Sequence, residues 1–304
     1  MRISTISLFD NGGSRLSDLQ ARAEQTVAQI SAGTKIMSPA DDPVAAARAL
    51  VVQQSSSTND QYTRNRLNVS NFQGITDGTL SSIVDTLQSI ESQLVGAGNG
   101  VLSDADRSSI GSTLQGQYDQ LVALANTTDG AGHYLFSGLQ TSTPPYAANA
   151  GGAMLYKGDS SQQMVQVDTS RTMAVTRPGT SLFPGGDTAN VFAKLQAAIT
   201  DLKTPGLSGQ THADSFNTVG QSLSVTLTAV YTLQSSVGTN MAEVDKLNTL
   251  GLDKHTQYAQ TLKDLQDLDY NKALSDLSRQ QTVLTAAQKS FQQISQMSLF
   301  NYIN

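Results

Sequence analysis

Residues 223–248 read LSVTLTAVYTLQSSVGTNMAEVDKLN. Leu223, Leu227, Val230, Gln234, Val237, Met241, Val244 and Asn248 keep a 4-3-4-3-4-3-4 spacing. A seam that recurs on average every 3.5 residues belongs to a long helix packed on another helix. A half-buried strand would alternate every second residue instead. His255, Tyr258, Leu262 and Leu265 extend the same phase, across Leu250-Gly251-Leu252, which reads as a break or a local fault. Asp267-Leu268-Asp269-Tyr270 shifts the phase. Tyr270, Leu274, Leu277, Leu284, Ala287, Phe291 and Ile294 then carry a last helix.

The other end of the chain has the same character. Ile6, Phe9, Gly13, Leu16, Gln20, Ala23, Val27 and Ile30 form a 3-4 seam, imperfect at Gly13 and Gln20. Gly33 reads as its end. Pro39 and Pro43 oppose helix interior. Asp42 suits the cap of the next helix, with Pro43 at its first position. That helix is expected to run from Pro43 to about Leu94, with a fault near Gly74 or Gly78. Its clearest seam is Leu80, Ile83, Leu87, Ile90 and Leu94. Ser103 and Asp106 have capping-box spacing and open a helix with Ile110, Leu114, Leu121 and Leu124.

The middle changes. Asp129-Gly130 is a turn signal, and His133 to Ser137 reads as a strand. Gly and Pro cluster from Thr143 to Gly152. Gln162 to Asp168 alternates in part and Thr172 to Thr176 alternates, before a Pro178-Gly179 turn. A short helix follows from Asn190 to Leu202. The expected organisation is an outer helix (1–32), a connecting loop (33–43) and a long helical rod segment (44–132). A small β-containing domain (133–185), a short helix with a returning rod helix (186–252) and a C-terminal outer helix (253–304) complete it. The fold class is mainly α: an elongated bundle of long antiparallel N- and C-terminal helices with a small inserted mixed β domain.

Composition narrows the function. There is no Cys, so disulfides, thiolate metal sites and cysteine nucleophiles are excluded. Lys and Arg total 19 against 25 Asp and Glu, a formal charge of −6. No basic patch supplies a phosphate-binding surface, so nucleic acid is not an expected partner. No apolar run has the length of a signal peptide or a membrane span. Only 14% of residues are charged, well under the usual quarter. The seams therefore have few charges to select a partner, and such helices gain stability from close-packed assembly.

Chemistry finds little support. The three histidines, His133, His212 and His255, are far apart in sequence. His133 reads as a turn residue, His212 as part of a Gly- and Thr-rich loop, and His255 as part of the helix seam. Asp41 and Asp42 are adjacent carboxylates, but no third ligand or base is near in sequence, so a helix cap is the simpler role. Asp264, Asp267, Asp269 and Asp276 lack the glycine of a calcium loop. No catalytic, cofactor or metal residue is assigned, and the chain is not expected to be an enzyme.

Four segments carry a resemblance. They are Met1-Arg2-Ile3-Ser4-Thr5; Ser31-Ala32-Gly33-Thr34-Lys35-Ile36 with Ser38-Pro39-Ala40-Asp41-Asp42-Pro43-Val44-Ala45-Ala46-Ala47; Ala125-Asn126-Thr127-Thr128-Asp129-Gly130 with Tyr134-Leu135-Phe136-Ser137-Gly138; and, near the C-terminus, Leu274-Ser275, Leu277-Ser278, Gln281-Thr282, Ala286-Ala287, Phe291 and Ser298-Leu299-Phe300-Asn301-Tyr302-Ile303. Together they resemble the flagellin superfamily of bacterial flagella. The Arg-Ile-Ser-Thr start, the Phe-Asn-Tyr-Ile end and the prolines beside the Asp pair are nearer its hook–filament junction members than its filament-forming flagellins, which remain the alternative.

The resemblance implies a structural protein, needed for filament attachment, outside the cell. It implies a ring of about eleven copies of the chain. The ring's neighbours would be the first hook-associated protein and flagellin. Export would run unfolded through the flagellar type III apparatus, without a cleaved signal, with a cytoplasmic export chaperone on the C-terminal helix. No nucleic acid, cofactor or membrane insertion is implied. The seams nominate Ile6, Phe9, Leu16, Leu284, Phe291, Ile294, Leu299, Phe300 and Tyr302 for subunit contacts, with the face of Leu284, Ala287, Phe291 and Ile294 unpaired until assembly. The resemblance adds the loop residues Asp41 and Asp42, with Lys35 and Arg48 as ionic partners.

Overall fold

Gly33 takes φ +73°, a left-handed backbone that ends helix α1 (Arg2–Ala32). Glycine enters this region without a Cβ penalty. Nine residues on, Asp42 Oδ1 accepts the Ala45 N–H at 2.9 Å, and Pro43 opens helix α2 (Pro43–Ala97). Helix α3 (Asp104–Ala125) starts with the expected reciprocal box: the Asp106 N–H donates to Ser103 Oγ and the Ser103 N–H to Asp106 Oδ2, each at 3.2 Å. In this computed structural model, residues 2–98, 102–207 and 209–303 are described, with backbone alone at 2–6, 8, 188–189 and 295–303.

Two antiparallel hairpins follow, β1 (Tyr146–Ala148) with β2 (Met154–Tyr156), and β3 (Met164–Asp168) with β4 (Arg171–Ala174). Helices α4 (Gly186–Ala189), α5 (Val191–Lys203), α6 (Gly209–Gln266) and α7 (Tyr270–Ile303) complete the chain. The fold is mainly α, with long helices and a small inserted β region of two separate sheets. At about 1.5 Å per residue, α2 and α6 each extend for more than about 80 Å.

By contact the chain divides into two units: residues 1–58 with 253–304, and residues 59–252. The second unit holds the core. Leu80, Ile83, Leu87, Ile90 and Leu94 are all buried, as their spacing requires. They join Leu114 and Leu121 of α3, Phe192 and Leu195 of α5, and Leu223, Val230 and Val237 of α6. Phe192 lies at the centre of an aromatic cluster, 4.7 Å from the Phe183 ring, 5.0 Å from Tyr146 and 6.0 Å from Tyr118. Burial raises the pKa of Tyr118, Tyr146 and Tyr156.

A polar layer interrupts the α2–α6 seam. The Arg66 guanidinium is buried and donates to Asn248 Oδ1 (2.7 Å), Val167 O (2.9 Å) and Thr63 Oγ1 (2.8 Å). Asn59 donates to Gly251 O at 2.9 Å. A Cβ on Gly251 would strike Arg66. Leu250-Gly251-Leu252 is therefore not a break: α6 passes through it, and the missing side chain makes room for a cation. Burial lowers the Arg66 pKa, with Asp168 opposing that shift.

Several expectations are corrected. Gly74 and Gly78 leave α2 unbroken. His133 to Ser137 is not a strand. The Asp129 carboxylate draws in the N–H groups of Ala131 and His133 at 2.8 Å each, and the following residues make only single bridges, Thr128 with Tyr134 and Ser137 with Pro178. His212 lies in α6, buried and stacked on Phe216, rather than in a loop. Within α6 the buried partners of Leu223, Val230 and Val237 are Thr226 and Leu233; Leu227 and Gln234 flank them half-exposed. The β1–β2 hairpin, of which β1 lies in the Gly- and Pro-rich stretch and β2 just after it, was not expected.

Candidate assembly surface

The first unit is built on α1 and α7. At one end the Phe9 and Phe291 rings lie 4.6 Å apart, and Gly12 gives Phe291 room. At the other, Gly33 lies against the Tyr270 hydroxyl. The two helices thus run antiparallel, with Thr26 and Ala273 buried between those ends. The antiparallel pairing is as expected, but Phe291 departs from the expectation of a face unpaired until assembly, because its ring already meets Phe9. The cover is partial, because Phe9 remains 48% exposed. Leu16, Leu284 and Phe291 are half-buried and Ile294 is exposed. Ile6, Leu299, Phe300 and Tyr302 lie outside the residues whose side chains are described.

The loop after α1 is set by its carboxylates. Asp41 Oδ2 accepts the N–H groups of Met37 (2.9 Å) and Ser38 (2.8 Å), while Oδ1 accepts from Gln25 Nε2 (3.0 Å). Asp42 caps α2. Lys35 Nζ donates to the Asp264 carbonyl at 2.8 Å. Within the chain neither Lys35 nor Arg48 pairs with the two aspartates, and all four side chains are exposed.

The first unit also displays apolar side chains that the seams did not nominate. Val44, Leu50 and Val51 are 62%, 71% and 66% exposed on α2. Val44 and Val51 are seven apart and share a face. That spacing was readable, but the flanking Ala-rich run masked it. Leu274 and Val283 of α7 are also open. Such an apolar surface fits a protein partner rather than a substrate.

A cleft of about 750 Å³ in the second unit is lined by Asn68, Phe72, His133, Tyr134, Gln163 and Val175 among others. His133 Nδ1 lies 3.3 Å from Asp129 Oδ2. Burial raises the Asp129 carboxyl, but the His133 and Ala131 N–H groups and the imidazole outweigh it, leaving its pKa below the ordinary value. Among the described residues no group of three His, Asp or Glu could hold a metal, and no helix is long and apolar enough to cross a membrane.

Residues 3–141 match the model of the bacterial flagellin N-terminal helical region. The chain is 34% identical over 316 aligned residues to flagellar hook-associated protein 3 of Escherichia coli, covering 99% of each chain. Flagellar hook-associated protein 3 of Salmonella typhimurium gives the same identity and coverage. Among solved structures, flagellar hook associated protein-3 from Legionella pneumophila superposes with a TM-score of 0.65 at 19% identity, over 71% of this chain and 98% of that one. The fold is shared with that structure, and the near-complete alignment to the first two relatives places this chain in the flagellar hook-associated protein 3 family of the flagellin superfamily.

Proposed function

We propose that the chain forms the junction between hook and filament, as a ring of about eleven copies closed by a head-to-tail interface. In this reading it rests on the first hook-associated protein and receives flagellin. The observation that carries the reading is end-to-end alignment at 34% identity with hook-associated relatives. The exposed apolar faces of the first unit supply its physics. Fully burying one Val or Leu is worth roughly 1.5–3 kcal/mol. Several per subunit offset the ordering cost, and association then depends on concentration. Lys35, Asp41, Asp42 and Arg48 are the candidate polar contacts between copies, with the apolar residues of α1 and α7 around them.

Deleting the protein should leave hooks intact, with flagellin exported but lost to the medium. Full-length filaments in that strain would sink the reading. Export through the type III apparatus, with a chaperone on α7, belongs to the same proposal. A truncation ending before Asp269 should lose chaperone capture in a pull-down; undiminished capture would place the contact elsewhere.

A further inference from the structure

Helices α6 and α7 are separated by Asp267-Leu268-Asp269, and no Gly or Pro occurs from Leu252 to Asn304. A helix that stops without a breaker must have its freed backbone groups satisfied from elsewhere. On the α7 side the signal is local: Asp269 Oδ1 accepts the Lys272 N–H at 3.1 Å, an N-cap. On the α6 side it is tertiary. Lys35 Nζ donates to Asp264 O and the Lys35 N–H to Gln266 O, both at 2.8 Å. The Leu268 N–H donates to Gly33 O at 3.1 Å, and Thr34 bridges Asp267. Gln29 Nε2 holds the Lys35 carbonyl at 2.8 Å, tying the loop to α1.

An unbroken helix would use the same groups differently. Each N–H would donate four residues back, so the Leu268 N–H would pair with Asp264 O, and the Tyr270 N–H with Gln266 O. The loop at 33–35 occupies both carbonyls and the Leu268 amide. Asp and Leu are tolerated inside helices, so the residues of the break do not forbid closure. We propose that Gly33–Lys35 is a clasp that holds α6 and α7 apart, and that on its release they fuse into one helix through 267–269. Docking of α1 then decides the course of α7, and the two ends of the chain order in one step. This holds whether or not the chain forms a junction ring.

The absence of Cys allows clean spin labelling of the full chain at Gln257→Cys and Ser278→Cys, both exposed positions. A continuous helix separates them by about 32 Å. Two substitutions open the clasp. Gly33→Val forbids φ +73° and drives a Cβ to within 2.9 Å of the Tyr270 hydroxyl. Lys35→Pro removes the N–H that holds Gln266 O. The clasped chain should give one distance away from that value, and each opened chain should gain a population near it. Adding Asn271→Pro should remove that population, because proline is accepted in the first turn of α7 but not inside a fused helix. Three results overturn the proposal: no new population in either opened chain, a new population that survives Asn271→Pro, or a clasped chain already at the helical distance.

Discussion

Leu80 to Leu94 of α2 and Leu274 to Ile294 of α7 carry the same kind of seam, yet the first is buried and the second half-open. The α2 seam lies in the second unit, where α3, α5 and α6 close around it. The α7 seam lies in the first unit and packs on one slender partner, α1. Among the described residues, Ala49 and Ala273 are the only buried apolar residues of the first unit. Periodicity therefore reports that a face is apolar, and the number of neighbouring elements decides whether it is covered. A face half-covered within its own chain is suited to being covered by another.

The core of the second unit should respond most to a single truncation. Phe192→Ala should destabilise the second unit by about 3–5 kcal/mol in urea unfolding, since three aromatic rings face the cavity it leaves. A loss under about 1 kcal/mol would mean that the core collapses freely and the two units differ less than their burial suggests.

Alkaline pH tests the same core without mutation. Burial raises the Tyr146 pKa far above its ordinary value, so the folded chain keeps this phenol neutral while the unfolded chain ionises near pH 10. Its contribution is complete below about pH 10 and falls by about 1.4 kcal/mol per pH unit above it. The unfolding free energy of the second unit between pH 9 and pH 11.5 should fall at least that steeply, since burial shifts Tyr118 and Tyr156 in the same direction, and a flat profile would deny the burial.

The α1–α7 pair of the first unit should respond less. Phe291→Ala should cost roughly 1 kcal/mol through loss of the Phe9 ring contact. Faster amide exchange in α1, with urea unfolding of the second unit unchanged, is the expected record. The smallest effect belongs to Ile294→Ala, an exposed position that should change the stability of the isolated chain by no more than about 0.5 kcal/mol. Addition to hook ends should nevertheless fall, because the side chain is open for a partner. Normal addition would remove Ile294 from the assembly surface.

Much of the fold was legible because the signals were local. Gly33 ended α1, Asp42 and Pro43 opened α2, and Ser103 with Asp106 opened α3, each through a side chain or backbone dihedral acting within a few residues. The errors fell where local signals were weak. Strands of three residues, such as Tyr146–Ala148, are too short to show alternation. His133 to Ser137 has strand-like residues, but Asp129 turns the backbone first. Of the candidate surface, Phe9, Leu16, Leu284 and Phe291 emerged from periodicity. Val44, Leu50 and Val51 did not, since their exposure depends on which elements fail to cover α2.

By itself the sequence determined that this protein is a set of long, sparsely charged helices with apolar seams, capped at defined points around a small β insertion. Spacing and capping act over one or two turns, so they can be read from one strand of text. Tertiary structure alone decided that Gly251 makes space for a buried Arg66, that α6 stops at Gln266 where no breaker stands, and that one seam is sealed while its twin stays open. Each of these depends on groups that lie far apart along the chain and meet only once it has folded, so no local pattern records them.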